Sequence, residues 1–122
     1  MKFAQKYLII VSSLVLAIFS SLGFYLVRGN PPIKNLVVSG HAHMLEFAFG
    51  AILFALALNI TKISDRTQKW LAIWMSLTFF GPGALIYAGM TGNTGFLSVT
   101  GALFEGSFVV LWLILAYFVA RD

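Results

Sequence analysis

Residues 7–27 read YLIIVSSLVLAIFSSLGFYLV, an apolar stretch that holds four serines and not one charged side chain. About 20 such residues are needed for a helix to cross the hydrocarbon of a bilayer, so this stretch sets the class. Three further runs of the same character follow at 44–60, 70–90 and 99–120. With their flanks they give four expected spans, at 7–27, 42–60, 70–90 and 98–120. Polar punctuation separates them. Arg28-Gly29-Asn30-Pro31-Pro32 carries two prolines that end a helix, and residues 61–69 carry Lys62, Asp65, Arg66 and Lys69. Thr91-Gly92-Asn93-Thr94-Gly95 is uncharged and suits a tight turn at a membrane surface.

The composition agrees. Of 122 residues, 60% are hydrophobic and only 10% charged, against about 25% charged in ordinary soluble chains. Four spans occupy about 80 positions, which leaves no room within these residues for a secreted enzyme, a nucleotide-binding α/β domain or a DNA-binding module. The absence of cysteine excludes disulfides, Cys-ligated iron–sulfur clusters and covalently attached c-type haem. Any metal or cofactor therefore falls to His, Met, Tyr or carboxylate ligands.

Lys2 and Lys6 precede the first run as they do in a signal peptide, but the run is longer than an h-region and no small-residue cleavage site follows, so it reads as a retained span. Lys2, Lys6, Lys62, Arg66, Lys69 and Arg121 fall on one side of the expected topology, against Arg28 and Lys34 on the other. That asymmetry predicts an integral plasma (inner) membrane protein with both termini cytoplasmic. It also accounts for the net charge of +4, so a nucleic-acid partner is not expected. Short connections make sequential helices antiparallel neighbours, which predicts an all-α, up-down-up-down four-helix bundle in the lipid bilayer. The runs lack the period-two alternation of barrel strands and are too long for them. Gly81-Pro82-Gly83 predicts a kink in the third span. Ala102 and Gly106, with Gly101 beside them, have the spacing for close helix contact in the fourth.

A charge at the bilayer centre costs about 2.5–3.5 kcal/mol on insertion scales, so ionisable groups inside the runs stand out. They are His41 and His43 at the start of span two, Glu46 one turn on, and Glu105 in span four. Counting residues from the expected span ends puts both carboxylates in the outer half of the membrane, facing each other or a shared cavity. His43 and Glu46 share a helix face with Phe47 and Gly50, whereas His41 and His43 diverge by about 200° on a regular helix. Either His41 lies in a non-helical lead-in at Ser39-Gly40, or the two imidazoles serve different partners.

The stretch His41-Ala42-His43-Met44-Leu45-Glu46-Phe47-Ala48-Phe49-Gly50 resembles the second helix of the haem–copper oxidase and nitric oxide reductase catalytic subunits. It is most similar to the short four-helix, cytochrome oxidase subunit I-like members, with His-Ala-His ahead of a Leu- and Gly-rich stretch. The resemblance implies a haem b-binding membrane protein in electron transfer or gas and redox sensing, with His43 as axial ligand. It makes His41 an auxiliary ligand, with Phe47 and Gly50 beside the cofactor and Phe49 and Phe54 as flanking aromatics. By analogy with a twelve-helix catalytic subunit built from three groups of four, it also implies a homotrimer and a redox partner that the sequence does not identify. The departures are Leu45, where several relatives carry Asn, and the lack of any later histidine, which removes a complete oxygen- or nitric oxide-reducing centre from a single chain.

Two other functions compete. A non-haem copper, zinc or iron site, or a transporter for such an ion, is open to His41, His43, Glu46 and Glu105, since His-x-x-Glu on one face supplies two ligands and span four a third. A small proton-coupled exporter of four-span type is disfavoured, because such proteins rely on a carboxylate in the first helix and residues 7–27 have none.

Overall fold

In hydrocarbon each backbone N–H and C=O must be satisfied within its own segment, and the apolar runs meet that demand as helices. The computed structural model describes residues 1–122, apart from the side chains of Phe24 and Val27. Helix α1 is Phe3–Arg28, α2 Lys34–Ala57, α3 Asp65–Leu77, α4 Phe80–Thr91, α5 Leu97–Thr100 and α6 Gly106–Arg121. A 3₁₀ turn, Leu58–Ile60, extends α2, and a π-helical turn, Gly101–Glu105, joins α5 to α6. Four segments are long and apolar enough to cross a membrane: Phe3–Gly23, Lys34–Ile60, Asp65–Thr91 and Leu97–Arg121.

Contacts between segment ends give the up-down-up-down order. At one end Lys2 pairs with Asp65 at 2.8 Å, and the Lys62 amide donates to the Asp122 carboxylate. At the other end the Ile33 amide donates to the Gly89 carbonyl at 3.0 Å. The second and third segments form the interior: in an 18-residue apolar stretch of each, 39% and 50% of residues are buried, against 11% in the first and fourth. Leu8, Phe54, Leu58, Met75, Leu111 and Leu115 are the large side chains at the centre of the core. Toward the end that carries Lys2, Gln5 donates to Gln68 at 3.0 Å, and Gln68 donates to the Ile63 carbonyl at 3.0 Å. Two fully buried amides thus satisfy each other, as a low-dielectric interior requires.

The second span begins at Lys34 and not near 42, so the expected lead-in at Ser39-Gly40 is continuous helix. The cause is close packing on α4. A Cβ on Gly89 would lie 2.5 Å from Val37 Cγ2 and 2.7 Å from the Val37 amide, and one on Gly40 would meet Ile86 and Leu85 within 2.9 Å. These two glycines bring the helices together and hold residues 34–41 in helical register.

The third span breaks at Thr78-Phe79, one turn before Pro82. Pro82 has no N–H for the Thr78 carbonyl, which instead accepts from Gly81 at 3.0 Å. The turn after α4 is closed by Gly92 in the left-handed conformation (φ 78°), its amide donating to the Ala88 carbonyl at 2.8 Å. In the fourth span the expected contact at Ala102 and Gly106 does not form within the chain: Ala102 is exposed, and a Cβ on Gly106 or Gly101 would meet nothing within 4 Å. The intimate glycine contacts are instead at Gly23, Gly40, Gly50, Gly81 and Gly89.

Candidate functional site

Because α2 is regular through Gly40, His41 and His43 project to different neighbours. The Nε2–H of His41 donates to the Phe19 carbonyl of α1 at 2.7 Å. Gly23 makes this possible, since a Cβ there would sit 2.4 Å from the same nitrogen. His41 is therefore a clamp between α1 and α2.

His43 turns toward the fourth span, where its Nδ1 lies 3.1 Å from Glu105 Oε1. With Glu105 accepting as a carboxylate and the ring neutral, Nδ1 carries the proton and Nε2 keeps its lone pair; Nε2 has no partner among the described residues. The two side chains are 38% and 35% exposed, so neither is sealed in the core.

Glu105 closes the π turn, and Gly81 of α4 makes room for it. A Cβ on Gly81 would stand 3.1 Å from both Glu105 Cγ and Phe104 Cβ. His43 and Glu105 border a cleft of about 260 Å³ with Ser39, Gly81, Leu85 and Thr100. Thr100 also borders an open apolar groove of about 610 Å³, walled by Phe80, Tyr87, Phe96 and Phe104. A polar pair thus sits beside an aromatic-lined recess. Single π turns in helices recur at functional sites, where they redirect a side chain out of α-helical phase.

The remaining expected site residues lie elsewhere. Phe47 is buried and stacks on Phe108 with centroids 4.0 Å apart, Gly50 receives the tip of the Phe108 ring, and Phe54 meets Trp112 edge-on at 5.6 Å. These positions form the seam between α2 and α6. Phe49 is 58% exposed. Glu46 is exposed and makes no hydrogen bond or ion pair among the described residues. At about 1.5 Å per residue it lies about 18 Å along a segment of about 40 Å, nearer the middle of that segment than a start at 42 implied, while His43 and Glu105 lie at matching distances of about 12–14 Å from the starts of their own segments.

Among the described residues no group of three or more His, Asp or Glu side chains converges as a metal cage. His41, His43, Glu46 and Glu105 therefore do not form one four-ligand centre within the chain. Only His43 and Glu105 meet. The π turn leaves no mark in the local sequence, and Gly81, expected as a kink element, serves as the seat for Glu105.

No family model, curated protein or solved structure matches the chain. The functional reading accordingly rests on this geometry and on the histidine motif.

Proposed function

We propose that the protein is an integral membrane haem b carrier in which neutral His43 is the axial ligand through Nε2, serving electron transfer or gas and redox sensing. The observation that carries this reading is the Nδ1–H bond to Glu105. Metal-ligating histidines usually donate their second ring N–H to a carboxylate or carbonyl, which fixes the tautomer, orients the ring and raises its basicity toward the metal. His43 has that bond, an unengaged Nε2 and an apolar recess next to it. When bound, haem supplies a one-electron iron couple or a gas-binding iron, tuned by its ligand and surroundings.

The protein's own residues supply the setting. Glu105 holds the proton on Nδ1, Phe80 and Phe104 give the recess an apolar wall, and His41 braces α1 against α2. One chain offers a single unengaged imidazole, so a second protein ligand would come from another copy, in keeping with the homo-oligomer, and specifically the homotrimer, implied by the histidine motif. The basic end that carries Lys2, Lys62 and Arg121 is assigned to the cytoplasm, with both termini, by the excess of positive charge there.

The test is the absorption spectrum of the full chain purified after expression with ample haem. Haem bands that disappear in His43→Ala and persist in His41→Ala support the reading. A colourless protein overturns it. Stoichiometric copper, zinc or iron without porphyrin, measured by elemental analysis, assigns His43 and Glu105 instead to a non-haem metal site completed by a further ligand.

A further inference from the structure

Glu46 is the one acidic side chain of the spans that the chain leaves on its outer surface with no bonding partner among the described residues. It does not stand alone on that surface. Ala42, Phe49 and Leu56 repeat every seven residues, Glu46, Leu53 and Ile60 do the same four positions later, and all six are exposed. A helix whose exposed residues fall in that a/d pattern presents a seam suited to a parallel partner helix. Lipid can cover the five apolar members. It cannot satisfy a carboxyl group well inside the bilayer, where polar side chains are found against other protein groups or water.

We infer that this stripe of α2 packs against α2 of a second copy of the chain, with the two Glu46 carboxyl groups meeting across the seam. Copies inserted with the same topology place Glu46 at the same depth. A carboxyl group carries both donor and acceptor capacity when one of a pair holds a proton, so two of them are mutually complementary. Interhelical hydrogen bonds of this kind hold membrane helices together and fix their register. The inference stands whether or not His43 binds haem.

The chain contains no cysteine, so single cysteines report proximity without background. Phe49→Cys and Leu53→Cys, on the seam, are compared in native membranes under mild oxidation with Ile10→Cys on α1 and Leu113→Cys on α6, all four sites being at least 58% exposed. Since each is a surface position, folding is not at risk from any of them. Disulfide-linked dimers concentrated at 49 and 53, at least several-fold above 10 and 113, support the seam, because a disulfide requires Cα atoms within about 7 Å. Adding Glu46→Leu should reduce that cross-linking several-fold, and Glu46→Gln, which still hydrogen-bonds, should preserve it. Dimers at 10 or 113 with none at 49 and 53, equal yields at all four sites, or full cross-linking with Glu46→Leu overturn the inference. Absence of any dimer overturns it as well and assigns the stripe to lipid or to a different protein.

Discussion

His43 and Glu105 stand 62 residues apart in the chain and meet at 3.1 Å, imidazole Nδ1 to carboxylate oxygen. Among the described residues it is the only hydrogen bond that ties a histidine to the fourth segment, and in the proposed haem site it would leave Nε2 as the coordinating atom. Removing the carboxylate takes away an acceptor and a negative charge from the back of the ligand. In the proposed haem site, Glu105→Leu should therefore weaken haem binding about 10–100-fold, as loss of such supporting partners does elsewhere, while Glu105→Gln, which can still accept from Nδ1, should fall between it and the unchanged chain. Both should raise the midpoint potential, because the carboxylate favours the oxidised, more positive iron. Haem titration and redox potentiometry read the two effects separately. Unchanged affinity and potential in both variants would remove Glu105 from the site.

His41 should behave differently. Its hydrogen bond to Phe19 is a packing contact, worth about 0.5–1.5 kcal/mol net, so His41→Ala should lower thermal stability without abolishing haem bands. Gly23→Ala drives a methyl group onto the same imidazole and should also destabilise. The double variant removes the ring that the methyl would strike, so its loss should be smaller than the sum of the single losses, with a coupling of about 0.5–3 kcal/mol. Additive losses would show that the two positions do not touch.

The glycines give a sharp contrast in stability. A Cβ at Gly89 meets the Val37 amide at 2.7 Å and the Ile33 carbonyl oxygen at 2.9 Å, both backbone atoms that cannot swing away. Gly89→Ala should cost about 1–3 kcal/mol by forcing α2 and α4 apart. Gly29, with φ −76° and nothing within 4 Å of a Cβ, should accept alanine with little change in melting temperature. Equal melting temperatures for the two variants would argue against the α2–α4 contact.

Residues 7–27 announced a helix long and apolar enough to cross a membrane, because hydrocarbon leaves a backbone few options, and the order of the four segments followed from short connections. The divergence of His41 and His43 was equally legible, as helical rotation alone requires it. The partner of His43 was not. Whether Glu105 faces α2 depends on the phase of the fourth span, and the π turn at Gly101–Glu105 inserts a residue that rotates that phase by about 100°. Nothing in the local sequence marks the insertion. The small residues Ala102 and Gly106 misled for a related reason: their spacing permits close contact but does not say with what, and within the chain nothing approaches Gly106. Phe47 and Gly50, which the motif sets beside a cofactor, pack against Phe108 of α6, a neighbour that the motif does not name.

The basic end carries a pH-sensitive tether. The Lys62 amide donates to the Asp122 carboxylate, and this bond, with Arg121 alongside, holds the carboxyl group below the ordinary aspartate range against a smaller opposing effect of burial. A carboxyl group whose pKa is depressed on folding adds stability above its unfolded value of about 3.9, and that stability is lost as pH falls through the lower folded value. The tether between the second loop and the end of α6 should thus be intact at neutral pH and remain so to about pH 4, then release on further acidification. The Lys62 amide resonance should be flat across the neutral range and move only at the acid end. In Asp122→Asn the side-chain charge is gone, so that movement should vanish. A Lys62 resonance that titrates near neutrality, or that titrates identically in Asp122→Asn, would show that the Asp122 side chain is not its acceptor.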